Sequence, residues 1–528
     1  MAVASGTEHH ETTRAGVLTR WTEIPGDVYG FLVFGLGQRD LAPRFAGAHH
    51  LVEHLVMRRV GPVATEHNAF SSSDSVVFHA SGTADDVLGF LRRVGAAVRD
   101  LATVTQTEVD LERAAIMAEI GPDGVYASGD VLLPRFGPTG LGMVDIGHAA
   151  LPALSTQDVL AFAASWFTTG NARLVLTTEP PADLDLGLPP GSAPGRVTQA
   201  APLPVRTPAY VVGASDGVAL SLLVGADPAT RWLVADVLVE ALRRHLRGAR
   251  GLVYDVQLHA MRVDEDRVCW TVLTDPHDGS VDETALEAFA VVTDLAASGP
   301  DAGLLDHVRA TALAEHRSVD GRVGRLLGAA ELDLRGWSAA PEQALRDRIE
   351  AITGDEIAAV LRASVPSLLL CVPGRLGISE DTEARLVASG LTLHQPLATY
   401  DGMTPQEIQE DLLTDGFPGS GNGSLLRPAM SSHRGRRFSP WRKSEVLIGR
   451  HQIAVVDVGG RIRVEDVALL GRDDDGDVEV ITRQGGVLFL NPANFRGAVE
   501  PWDRFVAGLP PEVVRHKSGY RGRPDEAG

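Results

Sequence analysis

From Ala84 to Leu101 the apolar residues Val87, Leu91, Val94, Val98 and Leu101 recur every three to four positions, which predicts a helix with one buried face. Val28–Leu36 is mostly apolar and rich in β-formers, and Ser75–His79 is a shorter run of the same kind, so both read as strands. The first third of the chain then orders as strand, helix, strand, several helices and a closing strand at Ala172–Leu176, an α+β pattern.

That pattern recurs. Leu111–Glu119 lines up with His307–Glu315, with Arg113 falling on Arg309 and Glu119 on Glu315. Leu154–Val159 lines up with Ile352–Glu356, each opening a helix with a threonine cap and running into an apolar strand, Ala172–Leu176 in one copy and Ser367–Cys371 in the other. A repeat period of about 200 residues is a domain duplication rather than a solenoid. Pro- and Gly-rich Leu188–Pro208 reads as the linker between the copies, and polar Asp401–Ser444 as a second linker. After it come short β-like runs at 446–448, 453–456, 478–481 and 487–490, with glycine turns between them and a final helix around Trp502–Leu509. This last pattern resembles a pleckstrin-homology-like module. The expected organisation is residues 1–190, a linker at 191–208, a homologous domain at 209–398, a linker at 399–444 and a small β-rich domain at 445–528.

Composition removes whole classes of function. The 48 basic and 69 acidic residues leave a net charge of −21, which repels phosphate backbones and argues against nucleic-acid binding. Two cysteines, Cys269 and Cys371, make neither a disulfide framework nor a cysteine-rich zinc module. No leader and no membrane-length apolar run is read, so the expectation is a cytoplasmic protein. Gly419–Gly423 follows no strand and precedes no Lys-Ser/Thr, so it reads as a loop and not a phosphate cradle. His9-His10 reads as part of a tail, and Arg434, Arg436, Arg437, Arg442 and Lys443 as a solvated basic run.

One short motif carries chemistry. His50-Leu51-Val52-Glu53-His54 is HxxEH, the inverse of the HExxH zinc-protease motif. Residues i and i+4 share a helix face, so His50 and His54 can offer both imidazoles to one metal ion, with the Glu53 carboxylate beside them. A catalytic zinc takes three protein ligands and leaves a position open. The next long helical stretch, Val109–Ile120, carries Glu112 and Glu119 two turns apart on one face. An inward-facing carboxylate pair is costly without a cation, so that face calls for a metal or an arginine.

Taken together these residues resemble the pitrilysin/insulinase family of zinc metallopeptidases, in a short form like the mitochondrial processing peptidases. Gly47–Leu55 is similar to the family's Gly-x-Ala-His-x-x-Glu-His-Met/Leu, with His49 in the usual alanine place. Asn68-Ala69-Phe70-Ser71-Ser72 resembles the substrate-pairing edge strand, and Asn171–Val175 the start of the last strand. Glu112-Arg113 and Glu119-Ile120 resemble the family's glutamate pair, which implies that Glu119 is the third zinc ligand and Glu112 an outer carboxylate that orients a histidine. In the second copy Val237 and Ala241 stand where His50 and His54 would be, so no metal is expected there. That copy keeps Arg247–Tyr254, similar to the family's Arg-x-x-x-Gly-Leu-x-Tyr, whose Arg and Tyr contact the substrate backbone.

The resemblance implies one Zn²⁺ per chain held by His50, His54 and Glu119, with Glu53 as general base. Extended peptides would be cleaved after pairing along Asn68, Ala69 and Phe70, with Arg247 and Tyr254 as further substrate contacts. It also implies a homodimer, since two homologous halves make half of the family's four-domain chamber. The competing expectation is a non-catalytic member serving as a peptide-binding or scaffold subunit; a processing subunit dependent on a separate partner is disfavoured because the ligand set and the Arg/Tyr pair occur in one chain. Two departures stand out. The segment between Leu55 and Asn68 is shorter than the family's, so the cleft wall must differ, and His49 points around the helix from His50 and is not expected to be a ligand.

Overall fold

A computed structural model describes residues 9–120, 130–196, 201–203, 205–213, 217–373, 378–399, 430–436, 444–455 and 460–517. Gly419–Gly423, with Arg437, Arg442 and Lys443 of the basic run, lies outside them. The first copy runs β1 (His10–Arg14), β2 (Val17–Trp21), β3 (Val28–Phe34), α1 (Ala48–Val60), β4 (Glu66–Ser71), β5 (Val76–Gly82), α2 (Ala84–Asp100), α3 (Gln106–Ile120), α4 (Leu132–Phe136), α5 (Met143–Ile146), α6 (Thr156–Trp166) and β6 (Ala172–Leu176). Its sheet has the order β1-β2-β6-β3-β5-β4. His10, read from sequence as tail, instead opens β1 and stacks its ring on Trp21 with centroids 4.2 Å apart.

α2 forms where the apolar spacing places it. Thr83 caps it by accepting a hydrogen bond from the Asp86 amide, and Val87, Leu91, Val94 and Val98 are buried. β3 sits inside the sheet. Leu32 and Phe34 face the helical core of α1 and α2, while Phe31 and Val33 face the other way. A strand covered on both faces has no polar alternation, which is why it reads as one apolar run.

The second copy has β7 (Ala209–Gly213), β8 (Val218–Gly225), α7 (Pro228–Leu242), β9 (Val253–Arg262), β10 (Arg267–Pro276), α8 (Val281–Ser298), α9 (Ala302–Arg317), α10 (Val319–Leu334), α11 (Glu342–Ala351), α12 (Gly354–Ser364), β11 (Leu369–Pro373), α13 (Glu380–Ala388) and β12 (Thr392–Leu393). Its sheet order is β12-β7-β11-β8-β10-β9. Strand for strand, β2-β6-β3-β5-β4 corresponds to β7-β11-β8-β10-β9, with the first pair parallel and the others antiparallel in both. The fold is therefore a duplicated α+β unit. One detail differs from expectation: α6 is capped by Ser155 in a reciprocal pair with Asp158, whereas Thr353 and Glu356 make the same capping box on α12. The threonine cap is real only in the second copy.

The copies cover each other's sheets. Val323, Leu326, Ala330 and Leu334 of α10 pack on Phe31, Val33, Val77 and Val175 of the first sheet. In return Val131, Leu132, Phe136 and Leu141 pack on Ala209, Val211, Ala219 and Cys371 of the second. Each large side chain so buried contributes roughly 1.5–3 kcal/mol. Arg335, just past α10, reaches both carboxylate oxygens of buried Asp40 at 2.7 Å, a bidentate pair that fixes the register of the contact.

The C-terminal part holds two sheets, a five-stranded one reaching from 398 to 463 and a four-stranded one from 467 to 517. The helix Val499–Val506, which begins three residues earlier than the sequence suggests, seats Trp502 and Phe505 in their shared core. Leu469 and Ile481 of this part join the core of the first copy. Among the described residues no helix is long and apolar enough to cross a membrane.

Candidate metal centre

α1 begins at Gly47, which has the left-handed φ of +92°. A Cβ there would also meet the His148 ring at 2.9 Å, so glycine is required on two counts. Leu51, Val52, Leu55 and Val56 bury one side of the helix, which turns His50 and His54 together toward α3. Their rings lie 4.8 Å apart, edge to face.

Glu119 of α3 completes a triangle. Its Oε2 is 3.3 Å from His54 Nε2 and 3.7 Å from His50 Nε2. One donor atom from each of His50, His54 and Glu119 lies within 4.8 Å of the others. The opposite ring nitrogens are engaged elsewhere: His54 Nδ1 donates to Glu112 Oε2 at 3.2 Å, and His50 Nδ1 is 2.9 Å from His148 Nε2. Arg58 in turn donates to Glu112 Oε1 at 2.8 Å. Two imidazoles with outward Nε2 lone pairs and one open carboxylate fit Zn²⁺ by number and type. Glu119 is the exposed member of the set.

The surroundings set the protonation states. Burial, followed by the neighbouring His148 and His54 rings, pulls the pKa of His50 down to about 3. Burial, then His54, pulls His148 down to about 4. Both rings are neutral at pH 7, the form that ligates metal. Glu53 is 6% exposed with Oε2 3.9 Å from His50 Nε2, and its carboxyl is pushed up to about 8, first by burial and then by the Glu119 charge, against the nearby Ser71 hydroxyl. A carboxyl so tuned can accept and return a proton near neutral pH. His49 is buried behind the helix, its basicity far reduced by burial, and is not part of the ligand triangle.

A cleft of about 570 Å³ opens over these groups, lined by α1, α3 and β4. Asn68, Ala69 and Phe70 of β4 lie along it. Among the described residues β4 pairs with β5 alone and ends the sheet, which leaves its outer edge available there to another strand. Only residues 61–65 join α1 to β4, the shortening noted in the sequence. Arg247 and Tyr254 are not brought to this cleft. Arg247 lies in the π-helical turn after α7, its guanidinium 5.7 Å from the ring centre of Tyr254, which is 68% exposed. His148 is the site residue that sequence reasoning misses. It stands alone between two short helical turns, 98 positions from its partner His50, and nothing in its local pattern marks it.

No protein-family profile and no curated protein sequence matches the chain. Solved structures do. A protease from Helicobacter pylori aligns with a TM-score of 0.55 at 14% identity over 69% of this chain and 98% of that one. An inactive peptidase M16 domain from Pseudomonas fluorescens gives 0.54 at 16% identity over 69% and 97%. A chain of complex III2 from Candida albicans, in a structure with Inz-5 bound, gives 0.54 at 12% identity over 71% and 99%. At these identities the likeness is one of fold, and the fold is that of M16 peptidase domains.

Proposed function

We propose that this chain is a zinc-dependent endopeptidase of the pitrilysin/insulinase type that cleaves extended peptides. The observation that carries the reading is the convergence of His50, His54 and Glu119 beside buried Glu53, at the foot of an open sheet edge. When bound, Zn²⁺ supplies a Lewis acid that polarises a carbonyl and acidifies water. His50 and His54 present Nε2 to it, Glu119 a carboxylate oxygen, and Glu112 holds the His54 ring from behind. Glu53 takes a proton from the attacking water and passes it to the leaving amine nitrogen. A peptide adding to β4 as a further strand is held by backbone hydrogen bonds, which favours unfolded segments over folded proteins.

The alternative, a peptide-binding or scaffold subunit without catalysis, draws on the likeness to an inactive M16 domain. The complete donor set weighs against it. Zinc stoichiometry of the purified chain and a peptide-cleavage assay together separate the two. One zinc per chain is expected, with none after His54→Ala; a zinc-free chain after gentle purification contradicts the proposal.

A further inference from the structure

We infer that His148 is a positioning residue that fixes which nitrogen of His50 faces the metal. The inference rests on the zinc reading above, and the geometry behind it is independent of any metal. His148 is 3% exposed, and its Nε2 lies 2.9 Å from His50 Nδ1. For His50 to offer the Nε2 lone pair toward Glu119, its Nδ1 must carry the ring proton, and a buried N–H needs an acceptor. With zinc bound, His148 Nε2 would be that acceptor, with the His148 proton on Nδ1, a buried atom for which no hydrogen bond is seen among the described residues. The 2.9 Å contact itself allows either direction; the need for a free His50 Nε2 lone pair at the metal is what sets His148 as acceptor and His50 as donor.

The usual partner of a ligand histidine is a carboxylate or a backbone carbonyl. His54 has a carboxylate, Glu112. A second buried anion at His50 would stand beside Glu53, already close to Glu119. A neutral imidazole accepts the same hydrogen bond without adding charge there. The backbone holds His148 in place. Gln38 Nε2 donates to the Met143 carbonyl at 2.9 Å and to the Gly147 carbonyl at 2.5 Å, and Gly47 lets α1 close onto the His148 ring. Ile146, Ala150 and Leu151 around it share a core with Leu469 and Ile481 of the C-terminal part. The ring thus belongs to a packed unit that includes the third part of the chain.

The test is zinc affinity of the full-length protein, measured by competition with a chromophoric chelator at one pH, with the fold of each variant checked by thermal unfolding. His148→Leu fills the space and removes the acceptor; it should weaken zinc binding about 10–100-fold, the usual worth of such a partner. His148→Gln, whose side-chain oxygen reaches the same point, should restore affinity to within a few-fold of the unmutated chain. A side chain that merely packs would not separate these two. His148→Met, similar in size and a poor acceptor, replaces the Leu variant if that one does not fold. Equal affinity in a folded Leu or Met variant overturns the inference. So does a folded Gln variant that binds more than tenfold weaker, whatever the apolar variants do. An unmutated chain without zinc affinity overturns the zinc reading instead, so the two failures are distinct.

Discussion

Glu53 is buried next to a second carboxylate, and that placement gives it a pKa of about 8. With no cation in the site such a carboxyl holds its proton at pH 7; a Zn²⁺ bound beside it would favour the carboxylate that acts as base. Glu53→Gln keeps the shape and removes the base, so it should retain zinc and fold while hydrolysis falls by roughly 10²–10⁴-fold. Glu119→Ala should instead lose the metal. Hydrolysis at the normal rate by Glu53→Gln, measured on zinc-loaded protein, refutes the assignment. At this scale the sequence was legible where residues share a helix. Spacing of four brings His50 to His54, and spacing of seven sets Glu112 and Glu119 on one face. His148 and Arg58 were not, because their contacts cross between elements and follow no period.

The pairing of α1 with α3 recurs as α7 with α9, and the difference between the pairs shows what the metal face becomes without its histidines. Val237 is buried where the alignment puts the counterpart of His50, and Glu315 corresponds to Glu119. Glu315 there acts on another carboxylate, Asp236 of α7, which burial and the Glu315 charge push up to about 6. By accessible surface Asp236 is an exposed residue, so solvent screens much of this effect and the expected change is small. Because its folded pKa lies above the unfolded value of 3.8, the cost of its charge is absent below about pH 3.8 and complete above about 6. Asp236→Asn should therefore raise the melting temperature at pH 7.5 more than at pH 4. An equal shift at both values contradicts the account. α2 was legible because it keeps its apolar face within one segment. The cap of α6 is Ser155 rather than Thr156, since a cap depends on which backbone amide its side chain meets, and the last helix starts at Val499 rather than around Trp502, with no side-chain cap to mark it in sequence.

The whole molecule joins two copies by exchange of covers, α10 on one sheet and residues 131–141 on the other, and this was invisible in sequence because each contact spans the duplication. Arg247 and Tyr254 do not line the cleft of their own chain; we propose that the homodimer expected from the two-copy architecture brings them to the zinc site of a second chain. Glu53→Gln and Arg247→Ala chains, each inactive alone, should recover about a quarter of the unmutated activity after subunit exchange, because half the dimers are mixed and each has one intact site. No recovery despite proven exchange, or a monomer by light scattering, rules the dimer out. The central claim, that this fold uses His50, His54 and Glu119 for metal-dependent peptide hydrolysis, is tested most directly by incubating the purified chain with a pool of extended peptides before chelation, after it, and after zinc is returned. Cleavage that stops with the chelator and resumes with zinc is the expected result; cleavage indifferent to chelation, or none from a zinc-loaded chain, contradicts it.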